Sequence, residues 1–160
     1  MIARTLGYAF ILTAGALLAT TSARTQNVEP VVYYFGAAGC DYCANGLAFL
    51  NRLKTSDQRL AIRAFDIVAS PDDATAFVVV TGAIGLADPR IPMTIVGHHV
   101  FVGYEGEETT GEEIKLAVEQ CRAKPCIDIV KGATKQGAQT VAAPGSWIVH
   151  RRFAKAIAPK

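Results

Sequence analysis

Two cysteines separated by two residues, Cys40 and Cys43, are the side chains of this sequence best suited to chemistry. They follow a run of strand formers at residues 31–35 and a short Gly/Ala loop, and they open an apolar segment with helical periodicity. The positive end of a helix dipole stabilises a thiolate at the helix N-terminus. Since the thiolate is the nucleophile of disulfide exchange, the pattern predicts a redox-active pair with Cys40 attacking and Cys43 resolving.

A structural disulfide and half of a zinc site are the alternatives for this pair. Zinc needs two further ligands, and His98 and His99 have the required chemistry. The strand that begins at Pro92 carries these histidines to a turn roughly 15 Å away, at about 3.3 Å per residue. The sequence therefore predicts no metal at the pair, and it predicts that the histidines are polar residues of a turn.

The N-terminus has the pattern of a secretory signal. Arg4 precedes an apolar run at residues 6–19, and Thr21, Ser22 and Ala23 supply small residues for cleavage. Residues 1–23 are thus predicted to be removed and the protein exported to the periplasm or another extracytoplasmic space. The run is shorter than the roughly 18 residues that span a bilayer, and an uncleaved anchor is the alternative.

Export implies an oxidising compartment, where four cysteines can form two disulfides in three connectivities. Spacing favours Cys40 with Cys43 and Cys121 with Cys126. Sixteen basic and 14 acidic residues nearly balance in 160 residues, so nothing indicates a nucleic-acid partner. The length fits one domain.

Hydrophobic periodicity and turn residues predict the order of elements. Strands are predicted at 31–35, 60–67, 93–96 and 99–102, the last two joined by a tight turn at Gly97. Helices are predicted at 40–54, at 71–84 and from a capping box at Thr110 and Glu113 to a stop at Pro125. Residues 131–146 have no firm hydrophobic period and are predicted to be a linker. Residues 147–157 are predicted to form a short helix.

This order, with Cys-x-x-Cys after the first strand and Pro92 opening the third, resembles the thioredoxin fold in its small glutaredoxin-like form. The resemblance covers residues 28–126. In more detail, the chain is similar to exported glutaredoxin-like proteins of bacteria. It implies an α/β fold, β-α-β-α-β-β-α, with a mixed four-stranded sheet and helices on both faces. Residues 127–160 are predicted to be a loosely structured basic tail.

The resemblance also implies a substrate-binding surface around the dithiol. It implies a cis bond at Pro92, a backbone at Ile91 that binds a substrate strand, and a contact by the aromatic Tyr42. Glutaredoxins bind the glutathione carboxylate in the region of Gly103 and Tyr104. Three acidic residues oppose glutathione there: Glu105, Glu107 and Glu108. The dithiol itself is the only redox group expected, without a further cofactor.

Asp41 stands where glutaredoxins have proline. Its carboxylate disfavours the Cys40 thiolate, which predicts a pair that reduces rather than oxidises. The predicted function is a thiol–disulfide oxidoreductase acting on protein thiols or disulfides with an upstream redox partner. The alternatives are a peptide-binding or assembly module without turnover and a metal chaperone. Cys121 and Cys126 are predicted to be structural rather than a second redox pair. Membrane contact is expected only through the tail or an uncleaved signal.

Overall fold

The computed structural model describes residues 29–136 and 147–152. These residues form strands and helices in the order β1 Val31–Gly36, α1 Asp41–Ser56, β2 Ala61–Asp66, α2 Pro71–Ile84, β3 Met93–Val96, β4 His99–Val102, α3 Glu112–Ala123, α4 Ile129–Gln136 and β5 Ile148–Arg151. A π-helical turn at Glu107–Gly111 leads into α3.

The strands form one mixed sheet in the order β2-β1-β3-β4-β5. β1 is parallel to β2 and antiparallel to β3, β3 and β4 form a hairpin, and β5 is parallel to β4. β1 is apolar on both faces because helices cover both of them. One core cluster joins the sheet to α1 and α3, and the other joins it to α2 and α4. The predicted fold class is confirmed, with β5 as an additional strand.

Helix α2 forms although its centre, Phe77 to Val80, consists of strand-forming residues. The Ser70 side chain accepts a hydrogen bond from the backbone N–H of Asp73 at 3.2 Å, and Pro71 occupies the first turn. Gly85 ends the helix in the left-handed conformation. These end signals outweigh the β propensity of the centre, and the predicted bounds are confirmed.

The predicted capping box at Thr110 and Glu113 is wrong. The Thr110 side chain is buried, and its hydroxyl accepts a hydrogen bond from the backbone N–H of Glu105 at 3.1 Å. Glu113 instead binds Arg152, the residue after β5. The chain enters α3 directly from the π-helical turn, so the helix has no side-chain cap at this end.

The predicted loose structure after Cys126 is wrong for residues 127–136. Asp128 accepts the backbone N–H of Lys131 at 3.0 Å and so caps α4. Ile129 and Val130 are buried in the cluster of α2. These two apolar side chains and the cap explain why the segment folds onto the domain.

The helix predicted at 147–157 is also wrong for residues 148–151, which form β5. The backbone N–H of Ile148 donates to His98 and that of Arg152 donates to Val102, at 3.1 and 2.6 Å. These bonds satisfy backbone groups that β4 would otherwise leave unpaired. Residues 153–157 of that prediction, the linker at 137–146 and the signal at 1–23 lie outside the described residues.

None of the helices in the described ranges is both long enough and apolar enough to cross a membrane.

Candidate active site

Cys40 lies at the N-cap of α1 and forms a disulfide with Cys43, one turn further along. Its sulfur accepts the backbone N–H of Cys43 at 3.2 Å. Cys40 is half-buried, whereas only 3% of Cys43 is exposed. An incoming sulfur therefore reaches Cys40 more easily. The N–H directed at the Cys40 sulfur, together with the helix N-terminus, stabilises negative charge there once the bond is reduced.

Tyr34 of β1 forms a hydrogen bond with the first turn of α1. Its hydroxyl is buried and donates to the carbonyl oxygen of Cys43 at 2.6 Å. Burial raises the pKa of Tyr34, so the phenol stays a donor. The ring lies so close to Gly36 that a Cβ there would meet Cε1 of Tyr34 at 2.7 Å. Glycine at position 36 thus allows the ring to reach the dithiol helix.

Asp66, at the end of β2, ties the loop before Cys40 to the sheet. Its carboxylate accepts the backbone N–H groups of Ala69 and Val68 at 3.0 Å and of Ala38 at 3.2 Å. These bonds, that from Ala69 foremost, lower the pKa of the carboxyl, which stays ionised. The sequence prediction missed Asp66. Its register partner in the parallel ladder is Gly36, which precedes the dithiol loop, and only the folded sheet shows this pairing.

A cavity of about 410 Å³ opens beside the dithiol. Both cysteines line it, together with the loop between β1 and α1, Ala44 of α1 and Ala64 of β2. Its charged lining residues are Asp41 and Asp66. The cavity therefore combines a reactive sulfur, small apolar walls and negative charge.

Ile91 and Pro92 lie outside this cavity, before β3. The peptide bond between them is cis. Pro92 is buried, and its carbonyl oxygen accepts the backbone N–H of Gly103 at 2.8 Å. Ile91 and Cys40 both pack against the core cluster that contains Cys43. The strand order and a dithiol at the start of the helix after β1 decide the fold. The domain has a thioredoxin-like fold.

Tyr42 and Tyr104 of the thioredoxin-like domain lie together at a second cleft, of about 280 Å³. Tyr42 is 55% exposed, whereas Tyr104 is buried with its ring 5.9 Å from that of Phe49. Burial raises the pKa of Tyr104. Glu107 lines the same cleft and is paired with Arg52 at 2.8 Å, so one of the three acidic charges expected there is compensated.

The second disulfide, between Cys121 and Cys126, joins the end of α3 to the segment before α4. Cys121 is 3% exposed. The disulfide lies against the turn between β3 and β4, where a Cβ at Gly97 would meet the Cys126 sulfur at 2.5 Å. The backbone of Gly97 has a φ of +56°, a conformation that favours glycine.

The prediction that His98 and His99 are only turn residues is wrong, because both contact residues distant in sequence. The His99 ring lies between His150 of β5, at 3.2 Å, and Gln120 of α3, at 2.9 Å. The His98 ring lies 5.5 Å from that of Trp147. Within the described part of the chain, no three His, Cys, Asp or Glu side chains are grouped to hold a metal ion.

No protein-family model matches the sequence, and no curated protein matches it significantly. Solved structures with similarity to this chain include the following two. A glutaredoxin from Archaeoglobus fulgidus aligns at 22% identity and a TM-score of 0.40, over 52% of this chain and 85% of that chain. A structural-genomics protein from Agrobacterium tumefaciens aligns at 16% identity and a TM-score of 0.46, over 62% of this chain and 47% of that one.

Proposed function

We propose that the protein is a thiol–disulfide oxidoreductase that uses Cys40 and Cys43. The observation that carries the proposal is the disulfide at the N-terminus of α1, with its half-buried sulfur beside an open cavity and its other sulfur buried. A disulfide with only a structural role has no need of an accessible sulfur at the positive end of a helix. Disulfide exchange needs both.

In the reducing direction, the Cys40 thiolate attacks one sulfur of a substrate disulfide. The Cys40–substrate bond forms, the substrate S–S bond breaks, and the leaving sulfur departs as a thiolate that takes a proton from water. The Cys43 thiolate then attacks the Cys40 sulfur and releases the second substrate thiolate. Two electrons pass to the substrate, the Cys40–Cys43 disulfide forms again, and an upstream dithiol must reduce it.

Two carboxylates support the reducing direction. Asp41 follows Cys40 directly, and Asp66 lines the same cavity. Negative charge near Cys40 disfavours its thiolate and so destabilises the reduced form, which makes the pair a stronger reductant. The proposed substrates are protein disulfides outside the cytoplasm, a location that rests on the secretory pattern of residues 1–23.

Single cysteine variants test this function. We expect Cys40→Ser to abolish reduction of a disulfide substrate, and Cys43→Ser to accumulate a mixed disulfide with it, visible by mass spectrometry and reversed by dithiothreitol. Cys121→Ser is the matched variant at the second disulfide, and it should still turn over. Retained turnover in Cys40→Ser would exclude the proposal. Binding of disulfide peptides without turnover by the wild type would indicate a peptide-binding module instead.

A further inference from the structure

Several of the residues around the cavity beside Cys40 are small. Ala37 and Ala38 of the loop, Ala44 of α1 and Ala64 of β2 end at Cβ and leave open space between the helix and the edge strand. Its volume of about 410 Å³ lies within the range of roughly 300–1,000 Å³ that ligand pockets have. Ala44 and Ala64 are exposed, so the space is open to solvent.

Apolar walls and a negative rim define what this cavity can accept. Leu47 and the ring of Tyr34 contribute further apolar lining. Asp41 and Asp66 are the charged lining residues, and among the described residues no lysine or arginine joins them. Three backbone N–H groups keep Asp66 ionised. The cavity therefore favours an apolar group next to a positive charge and repels an anion such as glutathione.

The position of the cavity relates it to the exchange reaction. Cys40 and Cys43 both line it, whereas Ile91 and Pro92 do not. A substrate cysteine joined to Cys40 is held at its mouth, and the next residue of the substrate lies about 3.8 Å along the backbone. The side chain of that neighbouring residue is thus within reach of the cavity.

We propose that this cavity is a side-chain subsite for polypeptide substrates. It takes an apolar residue adjacent to the substrate's reactive cysteine, and Asp66 pairs with a lysine or arginine that follows. This inference rests on the proposed oxidoreductase function and assigns its substrate class, namely neutral or basic polypeptide disulfides.

Paired peptide substrates test the subsite in the full-length protein. Two disulfide-linked peptides differ only in having Leu-Lys or Gly-Lys after the cysteine, and a third has Leu-Glu. With the wild type we expect kcat/KM to be about tenfold higher for Leu-Lys than for Gly-Lys, because part of the leucine side chain is buried. Leu-Lys should also exceed Leu-Glu, and oxidised glutathione should react more slowly than Leu-Lys.

Two variants test the apolar walls and the negative charge of the cavity separately. Ala64→Phe fills the cavity from an exposed strand position, and we expect the Leu-Lys to Gly-Lys ratio to fall to about one. Asp66→Asn should reduce the Leu-Lys to Leu-Glu ratio independently. Ala123→Phe adds the same bulk at an exposed site beside the other disulfide, and it should leave both ratios unchanged.

The outcomes distinguish the subsite from the function itself. Equal rates for Leu-Lys and Gly-Lys with the wild type, an undiminished ratio in Ala64→Phe, or faster reduction of oxidised glutathione would overturn the subsite while the oxidoreductase stands. If the reduced wild type exchanges with none of the peptides, the proposed function fails and the subsite fails with it.

Discussion

At the scale of single residues, Asp41 affects the two redox states of the dithiol unequally. It is exposed in the first turn of α1, where a carboxylate interacts favourably with the helix dipole. That interaction is present in both states. Repulsion between Asp41 and a Cys40 thiolate arises only after reduction. Asp41 therefore acts on the equilibrium between the two states.

We predict that Asp41→Asn makes the reduction potential of the Cys40–Cys43 pair less negative by about 10–20 mV, which corresponds to a screened surface interaction. Asp41→Pro should shift it in the same direction. Equilibration with glutathione or dithiothreitol buffers measures both values, and the Asn shift should shrink in high salt. Asp72→Asn, in the first turn of α2, is the matched control. A more negative potential in Asp41→Asn would contradict the electrostatic argument.

Replacing Gly97 or Gly82 by alanine should change the free energy of unfolding in opposite directions. At Gly97 a Cβ would meet the sulfurs of Cys126 and Cys121 at 2.5 and 2.8 Å, and φ is +56°. We expect Gly97→Ala to lower the free energy of unfolding by about 2 kcal/mol. Gly82 lies inside α2, where an added Cβ meets nothing within 4 Å, so Gly82→Ala should raise it by about 0.5–1 kcal/mol. Urea unfolding measures both. An unchanged midpoint in Gly97→Ala would mean that the turn moves away from the disulfide.

At the scale of elements, local signals predicted most of the fold. The Ser70 cap, Pro71 and the acidic first turn of α2 are neighbours in the chain, so local sequence predicted this helix. β5 could not be found in this way. Ile148 and Val149 remain half-exposed, and their strand state depends on bonds to β4, almost 50 residues earlier.

The candidate site also combines features that local sequence predicts with features that depend on the folded sheet. The two cysteines are neighbours in sequence, and their spacing was sufficient to predict the pair. The contribution of Asp66 depends on three N–H groups, one of them in the loop before Cys40, that only the folded sheet brings to it. The cavity likewise requires that Ala44 and Ala64, on different elements, face the same space.

Acid should weaken the attachment of β5. Arg152 binds Glu113 and lowers the pKa of that carboxyl, so this stabilisation is present above the usual value of 4.5 and is lost as pH falls through the folded value. Burial lowers the pKa of His150, so the folded state also loses stability as pH falls below 6.5. The groups that face His150 are His99, Glu113 and Arg152. Both effects destabilise the folded state as pH falls.

Amide hydrogen exchange checks this prediction, since the N–H of Ile148 donates to His98, just before β4, and that of Arg152 donates to Val102 of β4. We expect their protection factors, corrected for intrinsic exchange, to fall between pH 7.5 and pH 4 more than those of β1. Glu113→Gln should lower these protection factors already at pH 7.5. It should also remove the part of their decrease that occurs near pH 4. Glu112→Gln is the control, because Glu112 pairs with Lys115 of its own helix. Equal protection at both pH values would contradict the role of this cluster.

At the scale of the whole molecule, the two disulfides lie at opposite ends of the central strands. β1 leads into the dithiol loop just after Phe35, which pairs with Met93 of β3, whereas the Cys121–Cys126 pair lies against Gly97, beyond Val96. The four residues of β3 separate these ends by about 13 Å at roughly 3.3 Å per residue. Direct exchange between the pairs would need a large rearrangement of the sheet or helices, so geometry favours separate roles.

We therefore predict that removing the second disulfide changes stability and leaves the redox chemistry unchanged. Replacing both Cys121 and Cys126 by Ala opens a loop of about six residues, which should cost about 2 kcal/mol in the chain-entropy estimate. Urea unfolding measures that loss, and buffered equilibration measures the Cys40–Cys43 potential, which should not move. Turnover with a dithiol donor, assayed in the absence of denaturant, should also persist. Lost turnover in a folded double variant with an unchanged Cys40–Cys43 potential would show instead that electrons pass through Cys121 and Cys126, because the dithiol would then be intact but no longer supplied.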